Sequence, residues 1–170
     1  SFKTYLISDG SLTAENFQQK KHDLFELFES ADSTGVDIFQ IREKQLSAGL
    51  LFALTKGIAE MKRKSNIRLL VNDRFDVAIA AGADGVHLTS RSLRAEIVRK
   101  AVTADFIIGA STHNEVEIED AVSGNADFVT FSPVFETPKK LLYGPPQGIE
   151  RLAAMVNKFP QIPLIALGGI

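Results

Sequence analysis

The chain has 170 residues, of which 45% are hydrophobic and 24% charged, and its formal net charge is −2. This composition predicts one globular domain over residues 1–170 and excludes a disordered or fibrous chain. The near-zero net charge gives no electrostatic basis for general binding to nucleic acid or membrane, so a small phosphorylated ligand is the better expectation. There is no cysteine, which excludes disulfides, thiolate catalysis and cysteine-bound zinc. We expect no export signal or membrane anchor, and hence a cytoplasmic protein.

Short runs rich in β-branched and aromatic residues predict seven strands. They are Tyr5–Asp9, Asp37–Arg42, Arg68–Asn72, Gly85–Leu88, Phe106–Ser111, Phe128–Pro133 and Pro163–Gly168. Most are apolar on both faces, which indicates a parallel sheet covered by helices. Apolar residues at helical spacing lie between them, as in the series from Leu46 to Met61 and the series Val116, Ile118, Ala121 and Val122 behind a cap at Asn114.

Three helix–strand junctions share one pattern, in which a glycine ends the helix and an aspartate opens the next strand. They are Gly35-Val36-Asp37, Gly82-Ala83-Asp84 and Gly124-Asn125-Ala126-Asp127. The junctions predict a weak internal repeat.

Seven alternating strand and helix units fit either a doubly wound open sheet or a (β/α)8 barrel. The first turn, Asp9-Gly10-Ser11-Leu12, contains no glycine-rich nucleotide-binding motif. Polar residues instead follow many different strands, as expected of a TIM barrel whose site is built from the loops at the carboxyl ends of its strands. The sequence therefore predicts a TIM barrel. Because the last residues, Leu167-Gly168-Gly169-Ile170, follow the seventh strand, we expect the C-terminal βα unit to be missing.

The second predicted strand ends in Gln40-Ile41-Arg42-Glu43-Lys44. At strand spacing, Gln40, Arg42 and Lys44 would point to one side, where an amide and two cations suit a phosphate or diphosphate. The alternative is a solvated strand end in which Glu43 pairs with a neighbouring cation.

Asn72 and Asp73 follow the apolar third strand. Asp73 could hold Mg²⁺ through its carboxylate and bridging waters. It could equally cap the short helix that begins at Arg74.

Further candidates follow the later strands. Ser111 lies beside His113, which could act as a general base near neutral pH or have only a structural role. The long loop from Pro133 to Gly148 carries Thr137 and Lys140, which could clamp an anion or simply be solvated. Gly168 permits close backbone approach to a phosphate, although a glycine pair is a weak signal.

The order of these motifs along the whole chain resembles the thiamine phosphate synthase/TenI family. The motifs are Q-x-R-x-K, N-D-R, G-V-H-L, G-x-S, S-P-V-F-x-T-x-K-K and G-G-I after successive strands. The resemblance implies a barrel that joins an aminopyrimidine (HMP) diphosphate to a thiazole phosphate, forming thiamine phosphate and releasing pyrophosphate. No covalent nucleophile is needed, because pyrophosphate leaves first and the thiazole nitrogen captures a pyrimidine carbocation.

The resemblance also implies roles for individual residues. Gln40, Arg42, Lys44 and Asn72 would bind the pyrimidine diphosphate, with Mg²⁺ on Asp73. Ser111 and Lys140 would also contact the diphosphate, and Thr137 and Gly168 would face the thiazole phosphate. The expected partners are therefore small phosphorylated substrates, and a homo-oligomer is possible.

Two positions depart from the synthase pattern. Ser92 stands where a second Mg²⁺-binding aspartate is usual, which implies a weakened metal site. The loop motif reads Thr137-Pro138-Lys139-Lys140 and lacks a second threonine. Both departures, with His113, are similar to TenI, a thiazole tautomerase that needs one general base and no Mg²⁺.

Three hypotheses follow. The first is a synthase-type transferase, in which Arg42, Lys44, Lys140 and Ser111 carry the chemistry. The second is a TenI-like tautomerase with His113 as the base. The third is a non-catalytic barrel that binds a thiamine-related ligand or regulates a partner.

Overall fold

The computed structural model describes residues 3–62, 65–136 and 145–169. The strands are β1 (Tyr5–Ile7), β2 (Ile38–Ile41), β3 (Arg68–Asn72), β4 (Gly85–Leu88), β5 (Ile107–Thr112), β6 (Phe128–Phe131) and β7 (Leu164–Ala166). The helices are α1 (Phe17–Ser33), α2 (Ala48–Met61), α3 (Phe75–Ala81), α4 (Ala95–Ala101), α5 (Glu115–Ser123) and α6 (Gly148–Lys158). The predicted β3 and β4 match residue for residue, and the ends of the other strands differ by one or two residues.

The chain divides into two compact units, one of residues 1–87 with 105–107 and the other of residues 88–104 with 108–170. In the first unit β1 pairs with β2, β2 with β3, and β3 with β4. In the second unit β5 pairs with β6 and β6 with β7. All of these pairs are parallel, so the predicted parallel arrangement is confirmed within each unit.

The core of the first unit lies between its strands and helices. Phe39 of β2 is fully buried, and its ring meets that of Phe28 of α1 edge to face at 5.3 Å. Helix α2 begins after Ser47, whose hydroxyl accepts the Leu50 N–H, so Leu46 of the apolar series lies before the helix. Three apolar residues of α2 are buried at helical spacing, namely Leu51, Leu54 and Ile58.

The core of the second unit is formed by α5, β6 and the segment from α6 to β7. Its buried members are Ile118, Ala121, Val129, Phe131, Met155, Phe159 and Ile162. Asn114 caps α5 as predicted, since its side chain accepts the Glu117 N–H at 3.0 Å. Val116 is 65% exposed and does not belong to the buried face where its spacing placed it.

The three aspartates of the predicted repeat make the same contact. Each carboxylate accepts a backbone N–H at or just before the preceding strand: Asp37 from Thr4, Asp84 from Leu69 and Asp127 from Ile108. The left-handed residue that precedes the aspartate is Gly35 or Gly82 in two junctions, but it is Asn125 rather than Gly124 in the third. The internal repeat is therefore a repeat of contacts at the amino ends of the strands.

In the part of the chain that the structure describes, no helix combines the length and the apolar character that crossing a membrane requires.

Candidate functional site

A chain of hydrogen bonds joins three neighbouring strands of the first unit. Gln40 of β2 is 1% exposed, and its Oε1 accepts the Tyr5 hydroxyl at 2.7 Å. The Gln40 Nε2 donates to Asn72 Oδ1 of β3 at 3.1 Å. The structure thus brings Gln40 and Asn72 together, and Tyr5 fixes the orientation of the amide that links them.

His87 of β4 lies beside the same group of side chains. It is the register partner of Asn72, and its ring centroid is 5.7 Å from that of Tyr5. Burial, and then the positive charge of Arg42, lower the pKa of His87 to about 3. Burial raises the pKa of Tyr5 well above its usual value. Both rings are therefore neutral near pH 7.

Arg42 and Lys44 lie beyond the end of β2, which stops at Ile41. The expectation that they point to the same side as Gln40 stays a prediction, because the strand whose spacing would align them ends before them. Arg42 is half-buried, and its backbone N–H donates to Ser8 Oγ at 2.8 Å. Lys44 is exposed. The cations differ in burial, so Arg42 is the better placed of the two for a fixed contact.

Glu43 does not make the ion pair that the alternative interpretation, a solvated strand end, would give it. Its side chain is buried, and its carboxylate accepts hydrogen bonds from Ser8 Oγ, Gly10 N and Leu12 N. None of the ion pairs recorded among the described residues involves Glu43. The residue instead fastens the loop after β1 to the end of β2.

Asp73 follows β3 in an unusual backbone conformation, with φ at 65°. Its N–H donates to the carbonyl of His87 at 2.9 Å, which holds the turn against β4. The N-cap of α3 is Arg74, and no side chain caps it, so the helix-cap alternative for Asp73 is wrong. The Asp73 side chain is exposed, and a cluster of three or more metal-binding side chains does not occur among the described residues.

Ser92 stands where the synthase pattern has a second Mg²⁺-binding aspartate, and its hydroxyl bonds within its own turn. Its Oγ accepts the Thr89 N–H at 2.8 Å and lies 3.1 Å from Thr89 Oγ1, which closes the turn after β4.

Two candidates of the second unit lie at the end of β5. Ser111 is half-buried and is the register partner of Thr130 on β6. His113 follows the strand, and both its backbone N–H and its Nδ1 contact Glu117 Oε2, at 2.7 and 3.0 Å. The carboxylate of Glu117 therefore orients the imidazole, which is about one-third exposed.

Gly168 lies where β7 meets the segment after β6. Its carbonyl accepts the Phe135 N–H at 2.9 Å, and a Cβ on Gly168 would lie 3.1 Å from the Cα and Cβ of Pro133. With φ at 101° and this close packing within the chain, the position requires glycine. Thr137 and Lys140 lie outside the described residues.

Sequence reasoning missed Tyr5, Glu117 and the buried contacts of Glu43 with the loop after β1. For Glu117 a signal existed, because an acidic residue three positions after Asn114 is the spacing of a capping box. Tyr5 and Glu43 carried no such signal, since their partners come from other strands and loops.

Comparisons with known proteins cover nearly the whole chain. The family model described as thiamine monophosphate synthase matches residues 4–170. A putative thiamine-phosphate synthase of Geobacter sulfurreducens is 41% identical over 169 residues, which are 99% of this chain and 76% of that protein. The thiamine-phosphate synthase of Caldicellulosiruptor saccharolyticus is 36% identical, with 99% of this chain and 75% of that protein covered.

Among solved structures, a thiamine phosphate pyrophosphorylase from Pyrococcus furiosus matches with a TM-score of 0.78 and 28% identity. The match covers 99% of this chain and 75% of that chain. It confirms the predicted α/β class of TIM-barrel type, and seven of the barrel's strands fall within this sequence. The chain spans about three-quarters of the length of these relatives.

Proposed function

Because this chain belongs to the thiamine monophosphate synthase family, we propose that it is the transferase of thiamine biosynthesis that joins aminopyrimidine diphosphate to thiazole phosphate and releases pyrophosphate. The names of the relatives at 36–41% identity support transfer rather than tautomerisation or ligand binding alone. The observation that carries the proposal is the hydrogen bond between Gln40 and Asn72, with Arg42 two residues along the chain from Gln40.

The two amides suit the aminopyrimidine part of the substrate. Tyr5 donates to the Gln40 oxygen, and the Gln40 nitrogen donates to the Asn72 oxygen. This order leaves the Asn72 amide nitrogen as a donor for a ring nitrogen or a phosphate oxygen of the substrate. An amide whose orientation is fixed before binding loses little entropy when the substrate arrives.

Arg42, Lys44, Ser111 and Lys140 supply the donors that a departing diphosphate needs. In the proposed reaction the bond between the pyrimidine methylene carbon and the diphosphate oxygen breaks, and the electron pair leaves with pyrophosphate. The thiazole nitrogen then forms the new bond to that carbon. Cationic side chains stabilise the negative charge that develops on the leaving group, so the chemistry requires positioning and electrostatics. We assign Thr137 and Gly168 to the thiazole phosphate.

The donor set fits Mg²⁺ only as an ion shared with the substrate. Asp73 contributes one exposed carboxylate, while the hydroxyl of Ser92 is already bound to Thr89. Mg²⁺ commonly binds through one or two carboxylates, several waters and substrate phosphates, so one carboxylate is compatible with it. When bound, the ion would offset negative charge on the diphosphate; Asp73 is the residue that would hold it.

The test is to incubate the protein with both substrates, with and without Mg²⁺, and to follow pyrophosphate release and thiamine phosphate together. We expect both products in equal amounts and only with Mg²⁺. Conversion of the non-aromatic thiazole phosphate tautomer, with no pyrophosphate released, would instead establish the tautomerase. Binding of either substrate without any turnover would support the non-catalytic hypothesis.

A further inference from the structure

Glu43 is a buried acidic residue between two cations of the proposed diphosphate site. Its side chain is 3% exposed. Oε1 accepts the Ser8 hydroxyl at 2.6 Å and the Gly10 N–H at 3.2 Å, and Oε2 accepts the Leu12 N–H at 2.9 Å. These three donors all belong to the loop between β1 and α1.

The same loop holds the backbone of Arg42. Ser8 Oγ accepts the Arg42 N–H at 2.8 Å while its own proton goes to Glu43. The serine hydroxyl therefore connects the carboxylate to Arg42 in one continuous chain of hydrogen bonds, in which each donor has a single acceptor.

The loop also packs directly against Arg42. Gly10 has φ at 80°, and a Cβ built there would lie 3.2 Å from the Arg42 carbonyl oxygen and 3.6 Å from an Arg42 guanidinium nitrogen. The loop that Glu43 holds therefore runs close to both the backbone and the guanidinium of Arg42, with no room for a larger residue at Gly10.

We propose that Glu43 is a positioning residue, which fixes Arg42 for the diphosphate through Ser8 and the loop of residues 8–12. This inference rests on the proposed function, because it assumes that Arg42 binds the diphosphate. Glu43 itself has no contact with substrate in this role. Its carboxylate is engaged by neutral donors of the loop and not by the guanidinium of Arg42.

Replacing Glu43 by Gln separates this role from simple packing. The side chain keeps its size, but one of its two oxygens becomes an N–H₂ group that faces a backbone N–H of Gly10 or Leu12. The new amide N–H₂ group and a backbone N–H then face each other without an acceptor in a buried place. The loop must move so that these donors can find other acceptors. Asp84→Asn is the matched control, because Asp84 also accepts a backbone N–H in the first unit but lies at the amino end of its strand.

The experiment measures thermal stability, kcat, KM for aminopyrimidine diphosphate, and the affinity for inorganic pyrophosphate by calorimetry. We expect Glu43→Gln to raise KM and weaken pyrophosphate binding about tenfold, and to lower kcat as well, because Arg42 also stabilises the charge that develops on the leaving group. Asp84→Asn should lower the melting temperature and leave KM unchanged. Ser8→Ala should reproduce the KM effect, and the double variant should be no worse than the stronger single one, because both act on one path.

A Glu43→Gln protein that is less stable but has unaltered KM and pyrophosphate affinity would overturn the inference. If the effects of Glu43→Gln and Ser8→Ala on KM multiply in the double variant, the two residues do not act on one path, and the proposed path through Ser8 is overturned. Should Glu43→Gln fail to fold, Ser8→Ala with its pyrophosphate affinity still decides the matter. If the wild-type protein makes no thiamine phosphate, the proposed function fails, while a loss of pyrophosphate affinity in the variants would still support positioning. A wild-type protein that makes no thiamine phosphate and binds no pyrophosphate would overturn both.

Discussion

The carboxylate of Asp84 accepts the backbone N–H of Leu69 at 2.7 Å and holds the ammonium group of Lys62 at 2.8 Å. Asp37 and Asp127 repeat the arrangement with Lys3 and Arg99 as the cations. Each aspartate lies just before an even-numbered strand, namely β2, β4 or β6. Its carboxylate accepts a backbone N–H at or just before the strand that precedes it in the chain, namely β1, β3 or β5. The repeating structural unit is therefore a pair of βα units rather than a single one.

This contact predicts a stability effect at Asp84. Asp84→Asn removes the ion pair with Lys62 and weakens the hydrogen bond from the Leu69 N–H, and both contacts lie in a half-buried place. The substitution should lower the free energy of unfolding by about 2 kcal/mol. Urea unfolding followed by circular dichroism measures it. Asp76→Asn is the control, because Asp76 pairs with Arg74 on the surface and should change stability by less than about 0.5 kcal/mol. Equal effects of the two substitutions would contradict the argument.

His87 predicts a dependence of stability on pH. Its pKa in the folded protein is about 3 because the ring is buried, whereas an unfolded histidine titrates near 6.5. As the pH falls, the unfolded state protonates His87 before the folded state does. The contribution of neutral His87 to the free energy of unfolding is therefore complete above about pH 6.5 and is lost progressively down to about pH 3. Between pH 7 and pH 5 the loss should be about 2 kcal/mol. His87→Gln should remove that part of the pH dependence, as unfolding curves at both pH values would reveal. A His87 ring that protonates near pH 6 in NMR titration would contradict it.

Asp73→Asn tests the proposed magnesium ligand. Loss of the one exposed carboxylate after β3 should lower kcat/KM for pyrophosphate release about a hundredfold at limiting Mg²⁺. The melting temperature should stay the same, because the Asp73 side chain is exposed. Asp76→Asn, three residues along the chain, is the matched control and should keep full activity. Comparable losses in both variants would argue against a metal ligand at Asp73.

His113→Ala distinguishes the transferase from the tautomerase. A general base contributes a hundredfold or more, so a tautomerase should lose at least about a hundredfold in turnover. A transferase should stay within about threefold, since its proposed chemistry needs no base at this position. Pyrophosphate release and thiazole tautomerisation are measured side by side. A transferase that is abolished by this substitution would contradict the proposal that transfer needs no base at His113.

Gly168→Ala tests the close packing between β7 and the segment after β6. The new methyl group would lie 3.1 Å from Pro133 at a left-handed backbone position, so we expect a loss of more than about 2 kcal/mol in unfolding free energy. Gly35→Ala is the control. It has φ at 79° with nothing within 4 Å of the new methyl group, and should cost only about 1 kcal/mol. Equal costs would indicate backbone strain alone.

The strands and helices were predictable because their pattern is local. The strand Arg68–Asn72, with its three buried apolar residues, and the cap at Asn114 depend on residues a few positions apart, and the structure has them where expected. Local pattern did not give the strand ends to the residue, since strand spacing was carried past Ile41 to Arg42 and Lys44, although β2 ends there.

By itself, the sequence determined the parallel βα order, the family and the identity of most candidate residues, because apolar periodicity and motif order are properties of the linear sequence. Only the tertiary structure decided which polar groups contact each other. The amide of Gln40 meets Asn72 from a strand 32 residues away, and Glu43 binds a loop 31 to 35 residues earlier. Such contacts depend on strand register and loop path, so no spacing in the sequence identifies Glu43 as the residue that holds Arg42.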